Sequence, residues 1–279
     1  MRRITIYRPG RSFPSVSVTG HRCAMSCAHC SGKYLGGMKD VSGKGALLEF
    51  GLDLWKKGGK GILVSGGCDQ FGAVDFPSYT FKEIKDLKER TGLLINLHCG
   101  LINEDVAGRI SWAGVDKVSF DFVYDDTTIN EVLRLDKGKE EYLATVDILM
   151  KQGVEVVPHI LAGLKRGEIS WEFDAVKVLS GLGSVEVVLI VLIPTIGTDF
   201  QDVEPPSLQD LLHLARYMRE KLGGRLVLGC MRPKDLADLE VEVLKAGFDG
   251  IVLPRRSTLE WITSMGYEVE EKGICCCMG

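Results

Sequence analysis

Nine cysteines, at positions 23, 27, 30, 68, 99, 230, 275, 276 and 277, are the residues of this 279-residue chain best suited to chemistry. Three fall together in Cys23-Ala-Met-Ser-Cys27-Ala-His-Cys30, and three more are consecutive at 275–277. Thiolates are soft ligands that suit iron–sulfur clusters and zinc alike. Three of them on one loop can hold three irons of a 4Fe–4S cluster and leave the fourth iron open. Zinc would want a fourth ligand, with His21 and His29 at hand, but CxxxCxxC differs from the paired CxxC modules of zinc ribbons. An odd cysteine count without an export signal argues against a disulfide framework.

The remaining composition narrows the classes. Net charge is −4, and no stretch gathers Lys and Arg into a stripe. Phosphate contacts dominate nucleic-acid affinity, so a polynucleotide partner is not expected. No apolar run approaches the ~18 residues of a membrane span. The opening MRRITIYRPGRSF is basic but lacks the apolar stretch of a secretory signal, so a cytoplasmic protein with no membrane contact is expected.

The elements that must position these thiols are legible as apolar runs. Strands are expected over 15–19, 61–65, 93–98, 117–122, 155–160, 185–193, 225–228 and 250–253. The runs are almost wholly apolar, as parallel strands covered on both faces should be. Between them lie amphipathic stretches. Leu208, Leu211, Leu212 and Ala215 follow a Pro205-Pro206-Ser207 start signal, and Leu236, Leu239, Val243 and Ala246 mark another helix closed by Gly247. Eight strands alternating with helices predict a single (β/α)8 TIM-type barrel over 1–279, with an open doubly wound sheet as the rival. Chemistry in such barrels sits at the carboxyl ends of the strands. Cys23, Cys27 and Cys30 follow the first expected strand, Cys68 the second, Cys99 the third and Cys230 the seventh.

The CxxxCxxC motif after the first strand, with His29 just before the last cysteine, resembles the signature of the radical S-adenosylmethionine (SAM) superfamily. The resemblance implies a 4Fe–4S cluster on Cys23, Cys27 and Cys30, with SAM chelating its open iron. Reductive cleavage of SAM would then give a 5′-deoxyadenosyl radical that abstracts a hydrogen atom from an unactivated carbon. Ser65-Gly66-Gly67 resembles the superfamily's segment beside the SAM amino group, although Cys68 stands where Glu is frequent. Pro194-Thr195-Ile196-Gly197-Thr198 is similar to a segment lining the adenosine side in biotin-synthase-like members. Ser119 and Asp121, at the end of the fourth strand, and His159, on the fifth, occupy places that touch ribose or substrate. Asp121 as a plain cap and His159 as a structural residue are the alternatives.

The remaining cysteines resemble the second-cluster ligands of biotin synthase in placement. Cys230 stands where that enzyme has arginine, and its fifth-strand cysteine falls near Val157, so one ligand is lacking. Residues 266–274 can extend ~30 Å, enough to bring a Cys-rich tail over 266–279 back to the barrel mouth. An auxiliary iron–sulfur cluster on Cys68, Cys99, Cys230, Cys275 and Cys276 is therefore expected; buried, inert thiols are the alternative. SVTGHRCAMSCAHCSGKYL, LGCMRP and the final cysteine run resemble the archaeal two-protein lipoyl synthases. That resemblance implies a sulfurtransferase inserting sulfur at C6 or C8 of an octanoyl chain on a lipoyl-domain carrier protein. A homologous radical SAM partner and an electron donor such as ferredoxin are implied with it. Other cofactor biosynthesis on the same frame (biotin-synthase-like, rearrangement or maturation) is the alternative enzyme, and an iron–sulfur or zinc scaffold the non-enzyme. Arg232, Arg255 and Arg256 are candidates for binding a carboxylate or carrier surface, or for rim ion pairs.

Overall fold

The computed structural model describes residues 2–183, 185–236 and 238–279. Eleven strands and nine α-helices alternate along them: β1 (Arg3–Tyr7), β2 (Ser15–Ser17), β3 (Lys39–Asp40), α1 (Ala46–Lys56), β4 (Gly61–Ser65), α2 (Thr80–Arg90), β5 (Leu94–Leu97) and α3 (Glu104–Ala113). β6 (Lys117–Asp121), α4 (Asp126–Glu131), α5 (Lys139–Lys151), β7 (Glu155–Ala162), α6 (Glu172–Ser180) and β8 (Val187–Val191) follow. The chain continues through α7 (Leu208–Lys221), β9 (Leu226–Leu228), α8 (Leu239–Lys245), β10 (Gly250–Val252), α9 (Arg256–Ser264) and β11 (Glu268–Lys272) to a short 3-10 turn, Cys276–Met278.

Every strand pair is parallel, and the sheet order is β11-β1-β10-β9-β8-β7-β6-β5-β4-β2-β3. The eight expected strands are all present, as β2 and β4–β10. The barrel-type α/β expectation holds, with the circuit of hydrogen bonds left open between β3 and β11. The sheet is strongly curled all the same. The turn Cys276–Met278 touches β5, β6 and β10, which only a sheet wrapped around that turn allows.

Curling gives the sheet two apolar faces. The outer core joins the strands to the helices through residues such as Ile62, Ile95, Phe120, Leu189 and Leu214, all under 3% exposed. The inner face carries a smaller cluster of Tyr7, Val157, Val188, Ile190, Val227 and Val252, closed by Cys276 and Cys277. Alternation along each strand separates the two sets.

Local signals place the helices. Ser207 caps α7, its Oγ accepting from the Asp210 N–H at 3.2 Å. The helix buries Leu211, Leu214, Ala215 and Met218, with Leu208 and Leu212 at the half-buried margin. Asn103 and Asp125 cap α3 and α4 in the same way.

Residues 266–274 depart from the expected extended connector. They contain β11, which pairs along its whole length with β1, from Arg3–Glu268 to Tyr7–Lys272. Among the described residues no helix is long and apolar enough to cross a membrane.

Candidate active site

The loop after β2 is built by its neighbours. The Thr19 hydroxyl accepts from the Gly67 N–H at 2.7 Å and donates to the Arg22 carbonyl at 2.9 Å. The Ala24 N–H donates to the Cys68 carbonyl at 2.7 Å, and the Ala28 N–H to Val132 at 2.7 Å. Cys30 and Ser31 both donate to the Cys27 carbonyl, closing a turn that Ser31 (φ 46°) and Gly32 (φ 71°) lead out of in the left-handed region. A Cβ on Gly67 would lie 2.0 Å from the Arg22 carbonyl oxygen and 2.6 Å from Cys23 Cα. Gly66 is less tight, with Thr19 and Val74 side chains at 3.1 Å. The Ser65-Gly66-Gly67 segment is thus the wall against which the cysteine loop rests.

On this loop Cys27 is buried, while Cys23 and Cys30 are half-buried. A hydrogen bond with Cys27 pulls the Cys30 thiol down, and the same bond pushes Cys27 up. Three thiolates on one zinc ion would sit ~3.8 Å apart, from Zn–S bonds of ~2.3 Å. No three ligand atoms of this loop, with or without His21 and His29, lie within 4.8 Å of one another among the described residues. The loop therefore does not gather around a single ion. Three thiolates on one loop are the donor set a 4Fe–4S cluster takes, each on a separate iron. Buried His29 Nδ1 has no hydrogen-bond partner, and its ring meets Phe200 edge-on at 6.4 Å.

The segment 194–198 faces this loop across the mouth. The Tyr34 hydroxyl lies 3.0 Å from Thr195 Oγ1, and a Cβ on Gly197 (φ 73°) would meet Lys33 Nζ at 2.8 Å. Ile196 is 86% exposed. Ser65 Oγ, buried at the end of β4, is 3.4 Å from His98 Nδ1. Asp121 is exposed at the end of β6, in register with His159. His159 is not at a strand end as expected; β7 runs on to Ala162.

The other six thiols do not meet at one point. Cys68 and Cys99 belong to the side of the cysteine loop. Burial first, and then Cys23, push Cys68 up to about 12. Cys99 is fully buried in the outer core, where its thiol donates to the Gly100 carbonyl at 3.3 Å. The tail thiols form a second set. Burial first and then the neighbouring Cys275 raise the Cys230 thiol. Cys275 Sγ accepts from Asn96 Nδ2 at 3.3 Å. Cys276 and Cys277 are buried, with their sulfurs 3.8 Å apart. Cys277 Sγ lies 3.1 Å from Ser119 Oγ and 3.6 Å from His159 Nε2.

Arg232 is committed to structure. Its guanidinium donates to Glu240 Oε1 at 2.5 Å and to the Gly229 carbonyl, with its side chain 9% exposed. The Arg255 N–H donates to Glu240 Oε2 at 2.9 Å, and exposed Arg256 pairs with Glu260 on its own helix. Sequence reasoning passed over Cys277, Asn96 and His98, all in or beside the lumen. The sequence brought the tail to the mouth by its reach, but its depth in the lumen depends on how far the sheet curls.

No protein-family model matches the chain. Among curated proteins it is similar to the biotin synthase of Pelotomaculum thermopropionicum, 26% identical over 268 residues, 92% of this chain and 79% of that one. Among solved structures it resembles methylornithine synthase PylB, with TM-score 0.63, 16% identity, and coverage of 96% of this chain and 84% of that one. The FeFe-hydrogenase maturase HydG from Carboxydothermus hydrogenoformans gives TM-score 0.66 at 16% identity, over 99% of this chain and 69% of that one. The two structures speak for the fold; the cysteine loop at the carboxyl end of the first barrel strand speaks for the chemistry. The chain's likenesses are to biotin synthase, PylB and HydG.

Proposed function

We propose that this protein is a radical SAM enzyme that inserts sulfur into an unactivated carbon. The observation that carries the radical reading is the CxxxCxxC loop Cys23–Cys30 pinned against Gly67 at the carboxyl end of the first barrel strand. Cys23, Cys27 and Cys30 would hold the 4Fe–4S cluster. With SAM bound, that group supplies a 5′-deoxyadenosyl radical that takes a hydrogen atom from the substrate.

The chain's own residues bind and exclude. Thr19 and the Ala24 N–H fix the loop against β4. Gly66 and Gly67 let the cysteine loop pack against the end of β4, and 194–198 closes the opposite wall through Tyr34. Asp121 offers a carboxylate to a ribose or substrate hydroxyl. The buried tail seals the lumen against water below the mouth, protecting a reactive intermediate.

Sulfur insertion is supported by the second set of thiols, Cys230 and Cys275–Cys277, which approaches the same lumen as an auxiliary metal group would. Our substrate is an octanoyl chain on a lipoyl-domain carrier protein, with a homologous partner protein and a ferredoxin-type electron donor. The likeness to a biotin synthase supports a second reading, sulfur insertion into a biotin precursor. Anaerobic incubation with SAM, reductant and an octanoyl-lysine peptide, or the biotin precursor, decides by mass spectrometry. A thiolated octanoyl product supports the first reading and a thiolated precursor the second. 5′-Deoxyadenosine with neither product, in the presence of the partner protein, removes sulfur insertion.

A further inference from the structure

The tail thiols and His159 have a geometry of their own. His159 Nδ1 lies 3.0 Å from the Val157 carbonyl. A carbonyl only accepts, so Nδ1 carries the proton and Nε2 presents its lone pair to the lumen. That lone pair faces Cys277 Sγ at 3.6 Å, and Cys276 Sγ lies 3.8 Å from Cys277 Sγ. The three ligand atoms all lie within 4.8 Å of one another, the one such His, Cys, Asp or Glu triad among the described residues.

Two of those separations match edges of one coordination tetrahedron, and the third, Cys276 Sγ to His159 Nε2, is within 4.8 Å. Metal–sulfur bonds of ~2.3 Å and metal–nitrogen bonds of ~2.05 Å set S···S near ~3.8 Å and S···N near ~3.5 Å. A four-iron cluster takes one thiolate per iron and holds its thiolates farther apart. The surroundings are those of a ligand set. The Val157 carbonyl fixes the imidazole tautomer, and the Ser119 hydroxyl lies within hydrogen-bond reach of Cys277. The wall is apolar on one side, with Tyr7, Val157, Val188, Ile190, Val227 and Val252, and carries Asn96 and His98 on the other, the His98 ring centroid 6.3 Å from that of His159.

We propose that His159 Nε2, Cys276 and Cys277 bind a single tetrahedral thiophilic ion, Zn²⁺ or Fe²⁺, inside the barrel lumen. Cys275 lies beside Cys276 and Cys277 and accepts from Asn96, but its sulfur falls outside the triad. Three protein ligands leave the fourth position to a small ligand, the pattern of reactive rather than structural sites. The site rests on lumen geometry and is independent of the substrate assignment. Where a cluster was expected from the sequence, these three residues fit one ion, which carries no sulfide of its own.

The test uses the full chain carrying Cys23→Ala, Cys27→Ala and Cys30→Ala, stripped of metal and titrated anaerobically with Co²⁺. One equivalent should bind with thiolate-to-cobalt charge transfer and intense tetrahedral visible bands, and Zn²⁺ should displace it. Adding Cys277→Ala should abolish the spectrum. Adding His159→Gln should keep the charge transfer but weaken binding by ~10-fold or more. If the Cys277→Ala chain does not fold, the His159→Gln comparison decides. A spectrum unchanged by His159→Gln, or weak six-coordinate bands, overturns the site. So does reconstitution of this same background with iron and sulfide if it yields a cluster that Cys277→Ala removes.

Discussion

At Gly67 the backbone leaves no room for a methyl group, because the Arg22 carbonyl and Cys23 Cα occupy that space. Neither backbone atom can yield without moving the cysteine loop. Gly67→Ala should cost ~1–3 kcal/mol by overpacking and lower the iron retained after reconstitution. Wild-type iron content in that variant would refute the wall role. Ser65-Gly66-Gly67 was legible as a motif, but the sequence suggested a ligand contact, whereas the contact present is with the loop itself. Glu240 makes a second residue-scale case. Burial pushes its carboxyl up, but hydrogen bonds from Thr258, Arg232 and the Arg255 N–H outweigh this and hold it below the usual range. A depressed folded value means stability present above the unfolded pKa of ~4.3 and lost as pH falls through the folded value. Glu240→Gln breaks a buried pair with Arg232 and should cost about 3 kcal/mol at pH 7. In urea unfolding that penalty should shrink under acid; a pH-independent penalty would contradict the account. Of the two readings of Arg232, a substrate carboxylate or a rim ion pair, the pair with Glu240 is the one present; the sequence does not show that Glu240 lies across from it.

β11 shows what the elements add. Its sequence, Glu-Val-Glu-Glu-Lys, has no apolar run, and three of its five residues are exposed. It exists because β1 lends it a ladder: the Glu268 N–H donates to Arg2 and the Arg8 N–H to Lys272. β1 was itself missed, its alternating Arg3-Ile-Thr-Ile-Tyr7 read as a basic opening, and the two-residue β3 is too short to signal. The eight strands that were legible carry near-continuous apolar runs, covered on one side by helices and on the other by lumen. β11 also aims the tail, delivering Cys275–Cys277 into the barrel. Glu270 sits at a position whose N–H points toward β1 by the ladder's period of two. Glu270→Pro should break the strap. Rapid alkylation of the apo chain should then label Cys276 and Cys277 while Cys99, in the outer core, stays protected. Slow labelling of the tail as in wild type would show that β11 does not hold it.

The whole molecule is a curled parallel sheet with two sets of thiols, one on the rim after β2 and one in the lumen. The rim set was legible because CxxxCxxC is a local pattern that needs no tertiary information. For the lumen cysteines the sequence offered only reach: a tail long enough to return to the mouth, and Cys230 at a strand end. Their burial, the part played by His159 and the separation of Cys68 and Cys99 from the tail all depend on how far the sheet curls. In the proposed function the rim would generate the radical and the lumen would meet it. The rim claim is the central one, and anaerobic reconstitution with SAM and dithionite tests it most directly. The account predicts about four irons and matching sulfide on the rim cysteines, and 5′-deoxyadenosine and methionine formed by the wild-type chain. Cys27→Ala should lose both the rim cluster and the SAM cleavage. A reconstituted wild-type chain that makes no 5′-deoxyadenosine, or a Cys27→Ala chain that makes as much as wild type, would contradict it.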